Sequence, residues 1–380
     1  MKLKKIISLI PALFMFFGIA WADTIKIGFN VPLTGFAAAD GESALNGAKL
    51  AVNQANASGG INGKQIELVV YDDQASPKEA VPIANRLIEK DGVKVAVSGS
   101  YSGSTRAAAG VFQAAGIPYI SAYAIHPGIT RAGKYVFCTS FMGEVQGRAG
   151  ALLIGQTMQL KRVVVITLKN DFGKSLAAGF KAEAANFGIE IINEYEYSIR
   201  DRQFGPIVAK VRADKPDAIY ASGYFFTAGP LVNQLRSGGV TVPIIGQEGY
   251  DSEQFIKIAG AASEGVIITT SLDRDSNSPE TRSFITEYEK LTGNKVDMVA
   301  ASGHTALNVV IAALRKAGTS NPEAIRNAIA QTQLTAATGH ISFNALGEVR
   351  KNVQVQIVRN GDWHYHSEIR DQKLLAPPES

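Results

Sequence analysis

From Thr24 onward the chain alternates short apolar runs with longer segments whose apolar residues recur three or four positions apart. TIKIGFN places Ile25 and Ile27 at strand spacing, and Leu45, Ala48, Val52 and Ala55 then mark one face of a helix that Gly59-Gly60 ends. QIELVVYDD predicts a second strand, SPKEAVPIANRLIEKDG a helix and VKVAVSG a third strand. A serine-rich turn and an alanine-rich helix follow, then IPYIS and YVFCTS as strands and a helix from near Gly143. The pattern restarts with RVVVITL, a helix at 172–187, IEIINEYEY, a helix at 203–213, DAIYASG, a helix at 227–237 and VPIIG. Leu307, Val310, Ile311 and Leu314 mark a further long helix, and GHISFN and VQVQIV two short strands after it.

Strands alternating with helices imply an α/β fold of parallel sheets covered on both faces. There are more such units than one ordinary doubly wound sheet holds, so two doubly wound lobes are expected. No Pro/Gly/Ser-rich linker divides the chain, so short crossovers between the lobes are expected instead of a tether. Ligands of open parallel sheets bind beyond the carboxyl ends of the strands. AVSGSYSGSTRAAA, at 96–109, sits at such a strand end. Free N–H groups and hydroxyls at the helix start there suit an anion.

The beginning of the sequence changes the compartment. Met1-Lys2-Leu3-Lys4-Lys5 is a basic start, IISLIPALFMFFGIA is apolar, and Ala20-Trp21-Ala22 fits a small-x-small cleavage pattern. The apolar run is shorter than the roughly 20 residues of a membrane span, and none is expected later in the chain. A signal peptide covering 1–22 is therefore expected, without a lipid anchor, since no cysteine follows the cleavage point. Lys2, Lys4 and Lys5 supply three of the chain's formal +4, so the remainder carries only +1. Without a basic tract, nucleic acid and anionic membrane surfaces lose their electrostatic case. The single cysteine, Cys138, cannot form an internal disulfide, and the 46% hydrophobic composition must supply the core instead.

Several motifs exclude more than they assign. Asp171-Phe172-Gly173 spells a kinase triplet, but the glycine-rich loop, strand lysine and catalytic-loop Asp that it needs are missing, so a strand-to-helix turn is expected. His364 and His366 share a face if extended, yet have no companion cysteine or acid at metal spacing. No Walker loop, dinucleotide fingerprint or G-x-S-x-G elbow occurs. No cofactor, no metal and no catalytic residue is expected.

The run from GFNVPLTGFAAADGESALNGAKLAVNQANASGG to NRLIEKDGV resembles the amino-terminal lobe of the branched-chain amino-acid-binding proteins, the type I periplasmic binding proteins of ATP-driven importers. GSYSGSTRAAAGVFQAAGIPYIS, KNDFGKSLAAGFKAE, ASGYFFTAGPLVNQLRSGG and GQEGYDSEQF extend the resemblance over nearly all of the chain after Ala22. It implies two lobes, 23–142 plus 272–350 and 143–271 plus 351–380, joined by three hinge crossovers and closing on a ligand. It also implies a soluble, monomeric periplasmic receptor that hands an amino acid or close analogue to an inner-membrane ABC permease.

The family pattern implies a ligand carboxylate held by Ser102, with Ser104, Thr105 and Tyr101 nearby, and by the backbone at Ala124. It implies Glu248 as the partner of the ligand ammonium and Tyr224 and Phe172 as covering aromatics. Ile125 stands where relatives have a threonine, Asp40 where many have an aromatic, and Gln74 and Tyr101 where some have a disulfide. Asp40 facing the ligand would favour a polar or basic side chain; as a helix cap it would not. A zwitterion needs an anion site and a cation site close together in a dry cleft, and placing them on different lobes couples binding to closure. Receptors of this fold for amides, urea or aromatic acids, and a sensory adaptor, stay open alternatives.

Overall fold

The computed structural model describes residues 24–376; the basic start, the apolar run and the cleavage pattern lie outside the described residues. The first sheet is built from β1 (Ile25–Val31), β2 (Ile66–Asp72), β3 (Ala96–Ser98), β4 (Tyr119–Ser121) and β5 (Val136–Cys138), in the order β2-β1-β3-β4-β5. Every pairing in it is parallel. Between its strands run α1 (Ala38–Ala57), α2 (Pro77–Glu89) and α3 (Ser102–Ala114).

The chain then crosses to a second sheet through α4 (Gly143–Leu152). β6 (Arg162–Leu168), β7 (Glu190–Tyr197), β8 (Ala218–Ala221), β9 (Ile244–Gln247) and β10 (Ile267–Thr270) pair in parallel. Helices α5 (Asp171–Ala184), α6 (Gly205–Asp214), α7 (Phe225–Ser237) and α8 (Glu253–Ala259) connect them. β6 is buried from Val163 to Leu168, as expected of a strand covered on both faces.

After β10 come α9 (Pro279–Thr292), α10 (Met298–Ala317) and α11 (Pro322–Ala330), then a small ribbon, β11 (Leu334–Ala336) and β12 (Gly339–Ile341). α10 packs along α1 of the first sheet. The chain finally returns to the second sheet as β13 (Val353–Arg359) and β14 (Asp362–Ile369), giving the order β14-β13-β10-β9-β8-β6-β7.

Two expectations need correction. The second sheet is not wholly parallel, because β13 runs antiparallel to β10 and β14 antiparallel to β13. For β14 the cause is local: Asn360 and Gly361, between the paired Arg359 and Asp362, both have positive φ (53° and 76°), as a type I′ hairpin turn requires. And α10 is long and apolar enough to cross a membrane, contrary to the expectation that nothing after the leader is. It is a core helix instead, with 83% of its apolar stretch buried inside the protein.

α1 and α10 touch backbone to backbone. A Cβ at Gly47 would lie 2.1 Å from the Ala300 carbonyl oxygen, and one at Gly303 2.5 Å from that of Ala44. This close contact holds α1 and α10 against each other near their beginnings.

Candidate functional site

β3 and β8 occupy corresponding places in the two sheets, and each is followed by a tyrosine that begins a helix. Tyr101 precedes α3 and Tyr224 precedes α7, both with extended backbone at the N-cap. The Tyr224 N–H donates to Thr227 Oγ1 at 3.1 Å, which fixes the turn. The two rings stack at 4.1 Å with an interplanar angle of 1°. Phe172 stacks on the far side of Tyr224 at 4.7 Å, and Phe36 and Phe226 extend the aromatic ladder outward. Phe172 is aimed by its helix start: the Asn170 side chain caps α5 by accepting from the Gly173 N–H, so Asp171-Phe172-Gly173 forms a strand-to-helix turn.

Behind this ladder lies an interlobe cavity lined by Asp40, Tyr101, Ser102, Tyr123, Ala124, Phe172, Tyr224, Glu248, Gly249, Met298 and Val299. Seven of the nine residues named for the ligand in the sequence therefore meet in one place. Ser104 and Thr105 are buried outside the lining, and the Ser104 Oγ has no hydrogen-bond partner.

The serine-rich turn is less available to a ligand than its composition suggests. Ser98 and Thr105 hydrogen-bond to each other at 2.7 Å, and Ser100 donates to Asp73. Asn30 and Tyr119 complete that buried network, so these hydroxyls hold β1, β3 and β4 in register. Ser102 is the exception. It is the first residue of α3, not its cap, and its Oγ accepts from the Ile125 N–H at 3.3 Å while facing the cavity. The Ala124 carbonyl beside it is occupied by the Ser121 hydroxyl and the Cys138 thiol.

Glu248 enters from the other sheet, directly after β9. The Gln247 side chain bridges the turn, donating to the Gly223 carbonyl and accepting from the Gly249 N–H. Gly249 must be glycine there, since a Cβ would sit 2.2 Å from the Gly223 oxygen. Glu248 is 2% exposed, its backbone N–H donates to Gln146, and neither carboxylate oxygen has a hydrogen-bond partner. Burial pushes its pKa up to about 8, against the pull of Lys351. Lys351, in the crossover just before β13, is itself buried, lies over the Phe141 ring at 5.3 Å and has no hydrogen-bond partner for its Nζ. Burial pushes its pKa down to about 8.

Asp40 does not cap α1, which starts at Ala38 with Ala37 at the cap position. Its Oδ2 instead accepts from the Tyr101 hydroxyl at 2.6 Å, inside the cavity. Burial raises its pKa to about 7, assisted by the negative charges of Asp297 and Asp251.

Tyr123, Gly249, Met298, Val299 and Lys351 escaped the sequence reading. Tyr123 adjoins Ala124, which was a usable signal. Met298 and Val299 follow Asp297, whose side chain accepts from the Ala300 N–H and so marks the start of α10. The histidines play no part in the cleft. His364 and His366 lie on β14, and His304 hydrogen-bonds Gln54 beside the Phe284 ring. Among the described residues no three His, Cys, Asp or Glu side chains are grouped to hold a metal.

Cys138 is fully buried, and burial pushes its thiol up to about 12. Iodoacetamide is therefore expected to label it only after unfolding. Rapid labelling of the native protein would show that the end of β5 opens.

The family described as "Periplasmic binding protein" matches residues 24–362. The "Leucine-, isoleucine-, valine-, threonine-, and alanine-binding protein" of Pseudomonas aeruginosa is 29% identical over 344 residues, covering 90% of this chain and 91% of its own. The "Leucine-specific-binding protein" of Salmonella typhimurium is 31% identical over 269 residues, 70% of this chain and 72% of its own. Among solved structures, the branched-chain amino acid transporter substrate binding protein of Streptococcus pneumoniae, in complex with isoleucine, superposes with a TM-score of 0.85. It is 29% identical and covers 91% of this chain and 99% of its own. With two sheets facing across an aromatic cleft and a match over nearly its whole length, this chain belongs to the type I periplasmic binding proteins, in the branched-chain amino-acid-binding family.

Proposed function

We propose that the protein is the soluble periplasmic receptor of an ABC importer, which captures an amino acid between its lobes and delivers it to the permease. The observation that carries the reading is Glu248. A carboxylate buried to 2% exposure with both oxygens unpartnered is costly, and an ammonium group from a ligand would satisfy it. Ser102 and the start of α3 stand across the same cavity and suit the ligand carboxylate. The ligand would thus join residues 23–142 plus 272–350 to residues 143–271 plus 351–380, hinging at three crossovers. A monomer suffices for this, because both halves of the site come from one chain. The reading assigns binding, not turnover, to the cavity.

A second reading rests on the four aromatic walls, Tyr101, Tyr123, Tyr224 and Phe172, which also suit an aromatic carboxylic acid. A thermal-shift panel separates the two. Protein from Asp23 onward, unfolded and refolded to strip carried-over ligand, is tested with amino acids, the same acids without their amine, amides, urea and aromatic acids. A ligand at 100 times its dissociation constant adds about 2.7 kcal/mol, or several degrees at about 2–4 °C per kcal/mol. Shifts confined to amino acids are expected. Shifts with benzoate and none with any amino acid would replace this reading by the second.

A further inference from the structure

The cavity behind the aromatic ladder is not the only space that Asp40 touches. A second, larger interlobe cavity begins on its other side, walled by the first turns of α1 and α8 and by the approach to α10. Asp40 lines both. A ligand held at Ser102 and Glu248 therefore has a polar way out for its side chain that passes this carboxylate.

The charge along that path is negative. The Asp40 Oδ2 receives the Tyr101 hydroxyl, and its Oδ1 accepts no hydrogen bond among the described residues. Glu42, Asp297 and Glu253 line the second cavity. Its lining cation, Lys295, is ion-paired to Asp362. Arg274 is committed to Asp251 in the same way. An aliphatic side chain such as leucine's would leave Asp40 buried without a countercharge. A side chain with an apolar stem and a cationic end would lay the stem against Met298, Val299 and the tyrosine rings and bring the charge to Asp40. Aromatic faces add attraction for such a cation. Glu248, unpartnered and facing the first cavity, independently marks that space as built for a ligand.

We infer that the ligand is an amino acid with a cationic side chain, of the arginine or lysine class, and that Asp40 is the residue that selects it. This rests on reading the cavity as an amino-acid site. Isothermal titration of the stripped protein with L-arginine, L-citrulline, L-lysine, L-norleucine and L-leucine tests it. Citrulline and norleucine nearly match the shapes of arginine and lysine without the charge. Each cationic member is expected to bind at least about tenfold more tightly than its neutral counterpart, the scale of one charge-assisted hydrogen bond. Asp40→Asn is expected to erase that ratio, read as arginine against citrulline on the same variant protein. The native ratio stands as a test even if the variant fails to fold. Leucine binding as tightly as arginine, or citrulline as tightly as arginine, would overturn this inference and leave the amino-acid reading intact. Failure of every amino acid to bind would overturn both.

Discussion

Glu248→Gln is expected to lower affinity for an amino-acid ligand by about 10- to 100-fold. The change removes the charge from a hydrogen bond to an ammonium, a class worth about 1.5–3 kcal/mol. It should not lower the melting temperature of the stripped protein, because neither oxygen of Glu248 makes a hydrogen bond that the amide would break. Affinity lost with stability kept is the signature of a binding group. Stability lost together with affinity would make Glu248 a structural residue.

The same residue gives a pH test with a defined sign. Glu248 is raised from its ordinary 4.5 to about 8 by burial, so between those values the folded protein keeps a proton that the unfolded chain has released. Its contribution to stability is full below about pH 4.5 and is lost as pH rises through about 8. Lys351, lowered from 10.5 to about 8, acts in the adjoining window, where stability recovers as pH rises from about 8 toward 10.5. Below pH 8 an ammonium ligand must displace the Glu248 proton. Calorimetry in buffers of different ionisation enthalpy should therefore record proton release on binding, and Glu248→Gln should remove the share that comes from this carboxyl, leaving that of Asp40.

Gly47→Val should cause the largest loss of stability among the changes considered. The new Cβ would start 2.1 Å from the Ala300 carbonyl oxygen, so α1 and α10 would have to separate. Overpacking of this kind costs about 1–3 kcal/mol and occasionally more, which at about 2–4 °C per kcal/mol predicts a fall of about 2–12 °C. Asp40, Met298 and Val299 ride on the ends of those helices, so ligand affinity should weaken as well. Gly110→Ala, on an exposed face of α3 with nothing within 4 Å of the new methyl, is the control and should raise the melting temperature slightly. A Gly47→Val protein that melts with the wild type would show that the helix pair has slack.

Periodicity made much of this fold readable. RVVVITL coincides with β6, and the Leu45, Ala48, Val52 and Ala55 stripe is buried against the core. Helix starts were harder. α7 begins at Phe225, two residues before the apolar pattern shows it, because Tyr224 and Thr227 make the turn. α9 has only Thr281, Phe284 and Tyr288 buried, too sparse a stripe to stand out, although Pro279 and Gly293 bracket it as start and stop signals. Asn360-Gly361 is a hairpin signal legible in the sequence, because both residues tolerate the positive φ that the turn adopts.

The cleft residues were reached through family resemblance, since a serine before a helix or a glutamate in a loop is unremarkable by itself. Lys351 had no signal at all. Its burial follows from where a crossover passes between two sheets, which neither spacing nor composition encodes. The inward turn of Ser98, Ser100 and Thr105 was hidden for a similar reason, as their partners Asn30, Asp73 and Tyr119 come from other strands.

The antiparallel return of β13 and β14 has a consequence for how the chain is made. Until residues 353–369 emerge from the ribosome, β10 stands as an open sheet edge, and α1 waits likewise for α10. Lys351, the buried cation that acts on Glu248, arrives only just ahead of that last hairpin. Pairings between such distant segments form late and slowly. A nascent chain therefore cannot complete its cleft early, and a chain that must be threaded through a membrane is expected to gain, from this late closure, the time to remain unfolded on the way.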